Sequence, residues 1–274
     1  MPSNQQPLTT LAYAKINLGL SIGPQRSDGY HELQTIFAKI DLADTLEISP
    51  RPDQRLTLQT LGAQIPRPQN LVYRAAQLLQ KLTPKGAHII LRKKIPGGAG
   101  LGGGSADAAG TLKTLAKIWQ LPLSKTTLSA LALQLGSDVP QALTRKICQA
   151  TGRGEILQPF KLPRKFPKIV VLVIPPIKIS TTWAFRQLSS PKRLRKTNFQ
   201  FPLRNDFEPL IFQHYPAIQH LKIHLQKLGA VSASLSGSGA SVFGLFTSKA
   251  NAQKAAAALT PHGQVFLTRI FAPA

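Results

Sequence analysis

Apolar and polar residues mix in a strand-like way along two stretches near the start of the chain. The stretches run from Leu11 to Ile22 and from Leu33 to Ile48, and Asp28-Gly29 between them is a turn signal. Short apolar runs between turn residues predict five further strands. They are Leu56 to Leu61, Ala87 to Leu91, Ile169 to Ile174, Ser241 to Phe246 and Val265 to Ile270.

Apolar residues at helical spacing predict five helices. The clearest follows Asn70, a residue type that caps helices, and its apolar stripe comprises residues 71, 75, 78, 79 and 82. The other four span 105–119, 124–135, 216–228 and 249–259. Because strands and helices do not alternate regularly, an α+β fold is favoured over a doubly wound sheet. A Pro- and Lys-rich segment from Lys161 to Lys168 predicts two domains, 1–160 and 161–274.

The charge balance narrows the classes of ligand. The 274 residues include 34 Lys and Arg but only 11 Asp and Glu, which gives a formal net charge of +23. A positive field of this kind attracts nucleic acids, anionic membranes, nucleotides and phosphorylated metabolites. A general basic bias explains the charge equally well. The scarcity of acids leaves few carboxylates as candidates for a general base.

The cysteine and histidine content argues against a resident metal. Cys148 is the only cysteine, so an intrachain disulfide and a Cys-rich metal site are excluded. His220 and His224 have the spacing of a metal-binding pair, but no nearby acid or cysteine completes a set, so we predict no metal site. The first residues lack the pattern of a secretory signal, and the apolar segment 169–176 is too short to span a bilayer. These features predict a cytoplasmic protein that does not bind membranes.

A glycine-rich loop carries most of the functional information. Six glycines lie between Gly97 and Gly104, after a predicted strand and directly before a predicted helix. Glycines let backbone N–H groups approach an anion, and the helix adds its own unpaired N–H groups and dipole, so the loop predicts a phosphate-binding site. A Walker A loop is excluded because its Lys is missing, and a dinucleotide site is disfavoured because no acid follows between Asp107 and Asp138. The segments typical of protein kinases are also missing.

Three segments in order resemble the motifs of the GHMP kinases. The glycine-rich loop resembles their ATP-phosphate motif, Ala14-Lys15-Ile16-Asn17-Leu18 their first motif, and Ser236-Gly237-Ser238-Gly239-Ala240 their third. Two further stretches resemble the diphosphocytidyl-methylerythritol kinases of that superfamily. These stretches are Arg26 to Gln34, with the letters RSDGYHELQ, and Leu135 to Pro140, with the letters LGSDVP.

The resemblance implies a fold, a reaction and two cofactors. The fold would be the two-domain GHMP kinase fold, with an N-terminal domain like ribosomal protein S5 domain 2 and a ferredoxin-like C-terminal domain. The reaction would be transfer of a phosphoryl group from ATP, with Mg²⁺, to the 2-hydroxyl of 4-diphosphocytidyl-2-C-methyl-D-erythritol. The partner would then be this small-molecule substrate, with no obligate protein partner and no nucleic acid.

Each motif also implies roles for particular residues. Asp138 would be the base or positioning carboxylate, and Lys15 would pair with it, which would explain an ammonium in an otherwise apolar strand. ATP would bind to the loop residues Pro96, Gly97, Gly98, Ala99, Gly100, Leu101, Gly102, Gly103, Gly104 and Ser105. The substrate would bind to Asn17, Tyr30, His31, Phe185, Gly237, Ser238 and Gly239, with the two rings of Tyr30 and His31 beside the cytidine.

Other interpretations stay open at this point. Lys15 could lie on an exposed strand face, Asp138 could stabilise a turn, and Asn17 could merely hold its strand in place. The residues from Gly237 to Gly239 could form an ordinary hairpin turn. A GHMP kinase for another small alcohol, or a nucleic-acid-binding protein that uses basic residues such as Lys192, Arg193, Arg195 and Lys196, would also fit parts of the sequence.

Overall fold

The structure, a computed structural model, describes residues 6–188, 194 and 201–271. Its chain forms two compact units. The first unit comprises the chain up to Ala14 together with Leu42–Gly97 and Gly102–Thr144. The second unit comprises Lys15–Asp41, Gly98–Leu101 and the chain from Arg145 onward. The two predicted domains, 1–160 and 161–274, stay a prediction.

Two long strands open the chain. Strand β1 spans Leu8–Gln25 and pairs with β2, which spans His31–Arg51. Both contain the predicted strands and extend beyond them at each end. The turn predicted at Asp28-Gly29 lies between them, with Gly29 at a φ of +82°. Each strand begins in one unit and ends in the other, so it contributes residues to both cores.

In the first unit, helices and strands enclose one apolar core. Strand β3 (Leu56–Leu61) pairs in parallel with β4 (Gly86–Arg92), which pairs antiparallel with the end of β2. The helices are α1 (Leu71–Gln80), α2 (Gly103–Ile118), α3 (Lys125–Leu135) and the short α4 (Val139–Ala142). Asn70 caps α1 as predicted, because its side chain accepts a 3.0 Å hydrogen bond from the Val72 N–H.

In the second unit, two short strands extend the sheet beside β2, and a separate sheet follows. Strand β5 (Cys148–Thr151) pairs with β2 and with β6 (Ile156–Pro159). The other sheet is antiparallel in the order β10-β7-β9-β8, comprising β7 (Ile169–Ile174), β8 (Ser232–Leu235), β9 (Val242–Phe246) and β10 (Gln264–Arg269). The helices are α5 (Thr181–Gln187), α6 (Glu208–His214), α7 (Pro216–Lys227) and α8 (Lys249–Leu259).

The predicted strands and helices are present, and the α+β class is confirmed. Six further elements, α4, α5, α6, β5, β6 and β8, were not predicted because they have only four to seven residues, too few to show a period. The basic residues Lys192, Arg193, Arg195 and Lys196 lie outside the described residues. Among the residues that the structure describes, no helix is both long and apolar enough to cross a membrane.

Candidate active site

Lys15 is held in a defined position on β1. It is only 4% exposed, so the interpretation of an exposed strand face is wrong. Its Nζ donates a 2.8 Å hydrogen bond to Oδ1 of Asn17, which lies two residues further along and therefore on the same strand face. The ring of Phe37 on β2 lies 5.4 Å from the same Nζ. The ammonium is thus both hydrogen-bonded and packed against an aromatic face.

Asn17 in turn is fixed by the neighbouring strand. Its Nδ2 donates a 2.9 Å hydrogen bond to Oγ1 of Thr35, and Thr35 donates a 2.6 Å hydrogen bond to the Gly19 carbonyl. Both ends of the Asn17 amide are therefore engaged, one with the lysine and one with β2. Asn17 does hold its strand, but it also orients the lysine. Thr35, which is fully buried, completes this chain and was not predicted as a site residue.

Part of the glycine-rich loop is bound to the third motif in the second unit. Oγ of Ser236 donates a 3.1 Å hydrogen bond to the Gly100 carbonyl, and Oγ of Ser241 donates to the Ala99 carbonyl at 2.5 Å. The backbone N–H of Lys15 donates to the Leu101 carbonyl at 2.9 Å. The first motif, the middle of the loop and the third motif are therefore joined by direct hydrogen bonds.

Two glycines in this network allow the close approach. Gly100 has a φ of +75°, and a Cβ there would lie 2.0 Å from the Ser236 carbonyl oxygen. Gly237 has a φ of +59°, and a Cβ there would lie 3.5 Å from Nζ of Lys15. Side chains at either position would be strained and, at Gly100, would collide with backbone. The turn from β8 to β9 is therefore more than a hairpin connection, since it lies directly beside Lys15.

The end of the glycine-rich loop in the first unit starts helix α2. Gly102 is the N-cap, with a left-handed φ of +66°, and no side chain caps the helix. The first turn also contains no acidic residue. Because the first N–H groups of a helix have no partner within it, those of Gly103, Gly104 and Ser105 and the helix dipole favour an anion at this end. The binding of ATP phosphates by this loop stays a prediction.

A buried ionic cluster lies behind this helix end and was not predicted. Nζ of Lys93 forms ion pairs with Asp44 and, at 2.7 Å, with Asp107 on α2. The second Asp107 oxygen, Oδ1, is buried and has no hydrogen-bond partner among the described residues. Burial raises the pKa of Asp107 to about 7, although the Lys93 charge lowers it, and the Asp44 charge adds to the increase. Only a tertiary contact could have indicated this cluster, because its members lie on separate elements.

Asp138 lies in the first unit, directly before α4. It is the N-cap residue of that helix, but its side chain makes no capping hydrogen bond. The backbone turn there is closed by the Val139 N–H, which donates to the Gly136 carbonyl at 3.0 Å. The side chain of Asp138 therefore does not cap α4. Its pairing with Lys15 stays a prediction.

The residues predicted for the cytidine lie together in the second unit. The rings of His31 and Phe185 stack with their centroids 5.6 Å apart, and Nδ1 of His31 is 3.0 Å from the Gly23 carbonyl oxygen. Tyr30 is 49% exposed, and the Arg153 guanidinium lies 4.6 Å from the centre of its ring. His31 and Phe185 thus form one stacked pair, while the exposed Tyr30 ring packs against Arg153.

Ser238, another predicted substrate residue, is connected to the same helix as Phe185. Oγ of Ser238 and Oγ1 of Thr181 are 3.0 Å apart, and Thr181 begins α5, which carries Phe185. Thr181 was not predicted as a site residue. Among the residues that the structure describes, no group of three or more His, Cys, Asp or Glu side chains is arranged to hold a metal ion.

Family models and known proteins match most of this chain. The family model of the GHMP kinase N-terminal domain matches residues 70–146, and that of the C-terminal domain matches residues 183–264. A 4-diphosphocytidyl-2-C-methyl-D-erythritol kinase of Thermodesulfovibrio yellowstonii is 40% identical, over 90% of this chain and 93% of the relative. The corresponding kinase of Chlorobium phaeobacteroides is 41% identical, over 97% and 98%.

Solved structures extend the similarity to the fold. A crystal structure of a 4-(cytidine 5'-diphospho)-2C-methyl-D-erythritol kinase superposes with a TM-score of 0.83 at 35% identity, over 97% of this chain and all of that one. A homoserine kinase from Cytophaga hutchinsonii, at 16% identity and a TM-score of 0.68, shares the fold alone. The chain therefore has the two-domain GHMP kinase fold, and it belongs to the 4-diphosphocytidyl-2-C-methyl-D-erythritol kinases of the GHMP superfamily.

Proposed function

We propose that this chain transfers the γ-phosphoryl group of ATP to the 2-hydroxyl of 4-diphosphocytidyl-2-C-methyl-D-erythritol, a step in isoprenoid precursor synthesis by the non-mevalonate route. Relatives about 40% identical over nearly the whole chain carry this kinase name. The structural observation that carries the proposal is the buried Lys15 ammonium, oriented by Asn17 and joined through backbone to the glycine-rich loop.

The glycine-rich loop would bind the ATP phosphates. The uncapped first turn of α2 offers N–H groups and a positive dipole end, and the segment Gly98–Leu101 is held in place by two serines. Mg²⁺ fits such a site because it takes most of its ligands from phosphates and water. The Ser105 hydroxyl, at the start of α2, would be the side chain within its reach. When bound, the ion would neutralise charge on the transferred group.

Lys15 and Asp138 would act on the substrate hydroxyl. Asp138 would accept the hydroxyl proton or orient the hydroxyl for attack, and Lys15 would stabilise the incipient alkoxide. The position of Gly237 beside the lysine suits close approach of a substrate phosphate or of the ATP loop.

The aromatic residues of the second unit would recognise the cytidine. A nucleobase can stack on an aromatic ring, and the half-buried ring of Phe185 and the exposed ring of Tyr30 would provide such faces. The imidazole of His31 offers a donor or acceptor for the cytosine edge. This part of the site favours a nucleotide-linked alcohol over a plain small alcohol. A cytoplasmic location stays a prediction.

A substitution of Asp138 tests the reaction directly. ATP consumption by the purified protein is measured with Mg²⁺ and 4-diphosphocytidyl-2-C-methyl-D-erythritol, for the wild type, for Asp138→Asn and for Asp41→Asn. Asp41 is a matched control because its carboxylate is exposed and its ion pair with Arg269 is long, at 3.6 Å. We expect kcat to fall about 100-fold or more in Asp138→Asn, because a general base contributes that much. Asp41→Asn should retain wild-type turnover.

Two outcomes would contradict the proposal. If the wild type binds ATP but does not consume it with this substrate, the substrate assignment is wrong. If Asp138→Asn turns over as fast as the wild type, the role of Asp138 is wrong. If the wild type does turn over the substrate, heteronuclear NMR of the product with ³¹P identifies the hydroxyl that carries the new phosphate.

A further inference from the structure

A short segment between α5 and α6 contacts the strand of Lys15. The Arg204 carbonyl accepts a 2.9 Å hydrogen bond from the Leu20 N–H, and the Asp206 N–H donates to the Leu20 carbonyl at 3.0 Å. The carboxylate of Asp206 then accepts from the Ile22 N–H at 2.8 Å and from the Ser21 hydroxyl at 3.1 Å. The segment therefore fixes β1 shortly after Lys15, although no sequence motif of the site includes it.

Asn205, in the middle of this segment, contacts the third motif. It is 3% exposed, and its Nδ2 donates both hydrogens, to the Leu235 carbonyl at 2.9 Å and to the Gly237 carbonyl at 2.8 Å. Its Oδ1 accepts a 3.0 Å hydrogen bond from the Phe207 N–H. Two donors and one acceptor are what a primary amide provides, so every polar atom of this side chain is matched.

The Gly237 carbonyl is the important partner. Gly237 is the residue beside Nζ of Lys15, and its neighbour Ser236 holds the Gly100 carbonyl of the glycine-rich loop. The position of Gly237 thus sets the space next to the ammonium. Because the backbone on one side of Asn205 pairs with β1 and its side chain holds Gly237, one residue connects the lysine strand to the third motif.

Glu208, the first residue of α6, makes contacts that do not involve Gly237. Glu208 accepts hydrogen bonds from the Ser234 hydroxyl at 3.0 Å, from the Leu235 N–H at 3.1 Å and from Nζ of Lys222 at 2.6 Å. None of these groups belongs to the turn beside Lys15. Glu208 is 8% exposed, so its substitution perturbs a buried polar group close to Asn205 without removing a hydrogen bond to the Gly237 carbonyl.

We propose that Asn205 is a positioning residue for phosphoryl transfer, which sets the third motif against Lys15 through its two donated hydrogen bonds. The proposal rests on the proposed kinase function. It predicts that substitution of Asn205 lowers kcat by more than the accompanying loss of thermal stability explains. Among the residues that the structure describes, Asn205 is the side chain that donates to the Gly237 carbonyl. A displacement of about 1 Å in an active site can reduce a rate about 100-fold.

Asn205→Asp is the most informative variant because it keeps the size and replaces the two donors. An ionised carboxylate there faces two carbonyl oxygens, so its pKa should be raised, and the protonated form regains one O–H donor. We expect kcat to be about 100-fold below wild type at a pH of about 8 and to recover about tenfold relative to wild type at a pH of about 6. Glu208→Gln is the control and should lower the melting temperature while keeping kcat within about threefold of wild type at both pH values.

Thermal unfolding of each variant separates folding from positioning. If Asn205→Asp does not fold, Asn205→Ser replaces it, since a hydroxyl can donate to only one of the two carbonyls and should give a smaller loss. Turnover of folded Asn205→Asp within about threefold of wild type would overturn the proposal, as would an equal loss in Glu208→Gln. If the wild type does not turn over the substrate at all, the kinase proposal fails. The positioning role is then judged from calorimetric ATP affinity, which we expect to be about tenfold weaker in Asn205→Asp because Ser236 holds the ATP loop.

Discussion

Replacing Asp107 by Asn should remove a pH dependence from the stability of the first unit. Asp107 is 2% exposed, and its Oδ1 has no partner among the described residues, while its Oδ2 accepts from Lys93 at 2.7 Å. An amide oxygen can accept the same hydrogen bond from Lys93. The variant therefore keeps this contact and loses the second of two carboxylates that share one lysine.

The magnitude follows from the raised pKa. Burial raises the pKa of Asp107 from 3.8 to about 7, mainly because a carboxylate loses its hydration there. Between these two values the folded state holds a proton that the unfolded state has released. The free energy of unfolding therefore falls as the pH rises from about 4 to about 7, and it levels off above. A shift of about three units corresponds to a loss of about 4 kcal/mol over this range, roughly 1.4 kcal/mol for each pH unit.

The two tryptophans allow a specific assay. Trp119 is buried in the first unit directly after α2, and Trp183 lies on α5 in the second unit. In a Trp183→Phe background, fluorescence reports on Trp119 alone. Urea unfolding is measured at pH values of about 5, 6, 7 and 8 with and without Asp107→Asn. The free energy of unfolding of Asp107→Asn minus that of its background should rise by about 1 kcal/mol per pH unit up to about pH 7.

A second carboxylate in the same unit serves as the control. The guanidinium of Arg51 lowers the pKa of Asp53 to about 2, so this group stays ionised throughout the measured range. Asp53→Asn should therefore shift all the curves by a constant amount. Parallel pH profiles for Asp107→Asn and its background would show that Asp107 is ionised throughout, and the reasoning from burial would be wrong.

Two further substitutions probe the loop and the aromatic surface. Gly100→Ala would place a Cβ 2.0 Å from the Ser236 carbonyl oxygen at a φ of +75°, so we expect a lower melting temperature and an ATP KM raised about tenfold; Gly97→Ala, where a Cβ meets nothing within 4 Å, should leave the melting temperature unchanged. Phe185→Leu removes a ring that stacks on His31, and steady-state kinetics should show the KM for the cytidine substrate raised about tenfold with kcat nearly constant. An unchanged ATP KM in Gly100→Ala would contradict the role of the loop. A fall of kcat in Phe185→Leu as large as the rise of KM would contradict a role in binding alone.

The strands and helices with a long period were predictable from the residues alone. Strands β1 and β2 and helices α1 and α2 carry their apolar positions at regular spacing, and the Asn70 cap precedes α1 as its residue type indicates. The short strand β5 had no such signal. It forms because β2 offers an edge with which Cys148 can pair, and the edge is built by residues more than 100 positions earlier in the chain.

The candidate site divides in the same way. The first motif around Lys15, the glycine-rich loop and the third motif stand out in the sequence because each is a run of neighbouring residues with an unusual composition. The hydrogen bonds that hold them, from Asn17 to Thr35 and from Ser241 to Ala99, join residues 18 and 142 positions apart. The assignment of Asp138 as the base comes from its motif and stays a prediction.

The sequence by itself determined the α+β class, the family and the three segments expected to bind ATP and substrate, because each depends on residues close together in the chain. Only the tertiary structure decided which buried polar groups meet. Asn205 holds a carbonyl 32 positions away, and Lys93 lies between carboxylates 49 and 14 positions away. Such pairings leave no period or motif, since they depend on how strands and helices pack, and a buried polar group is stable only where packing provides its partner.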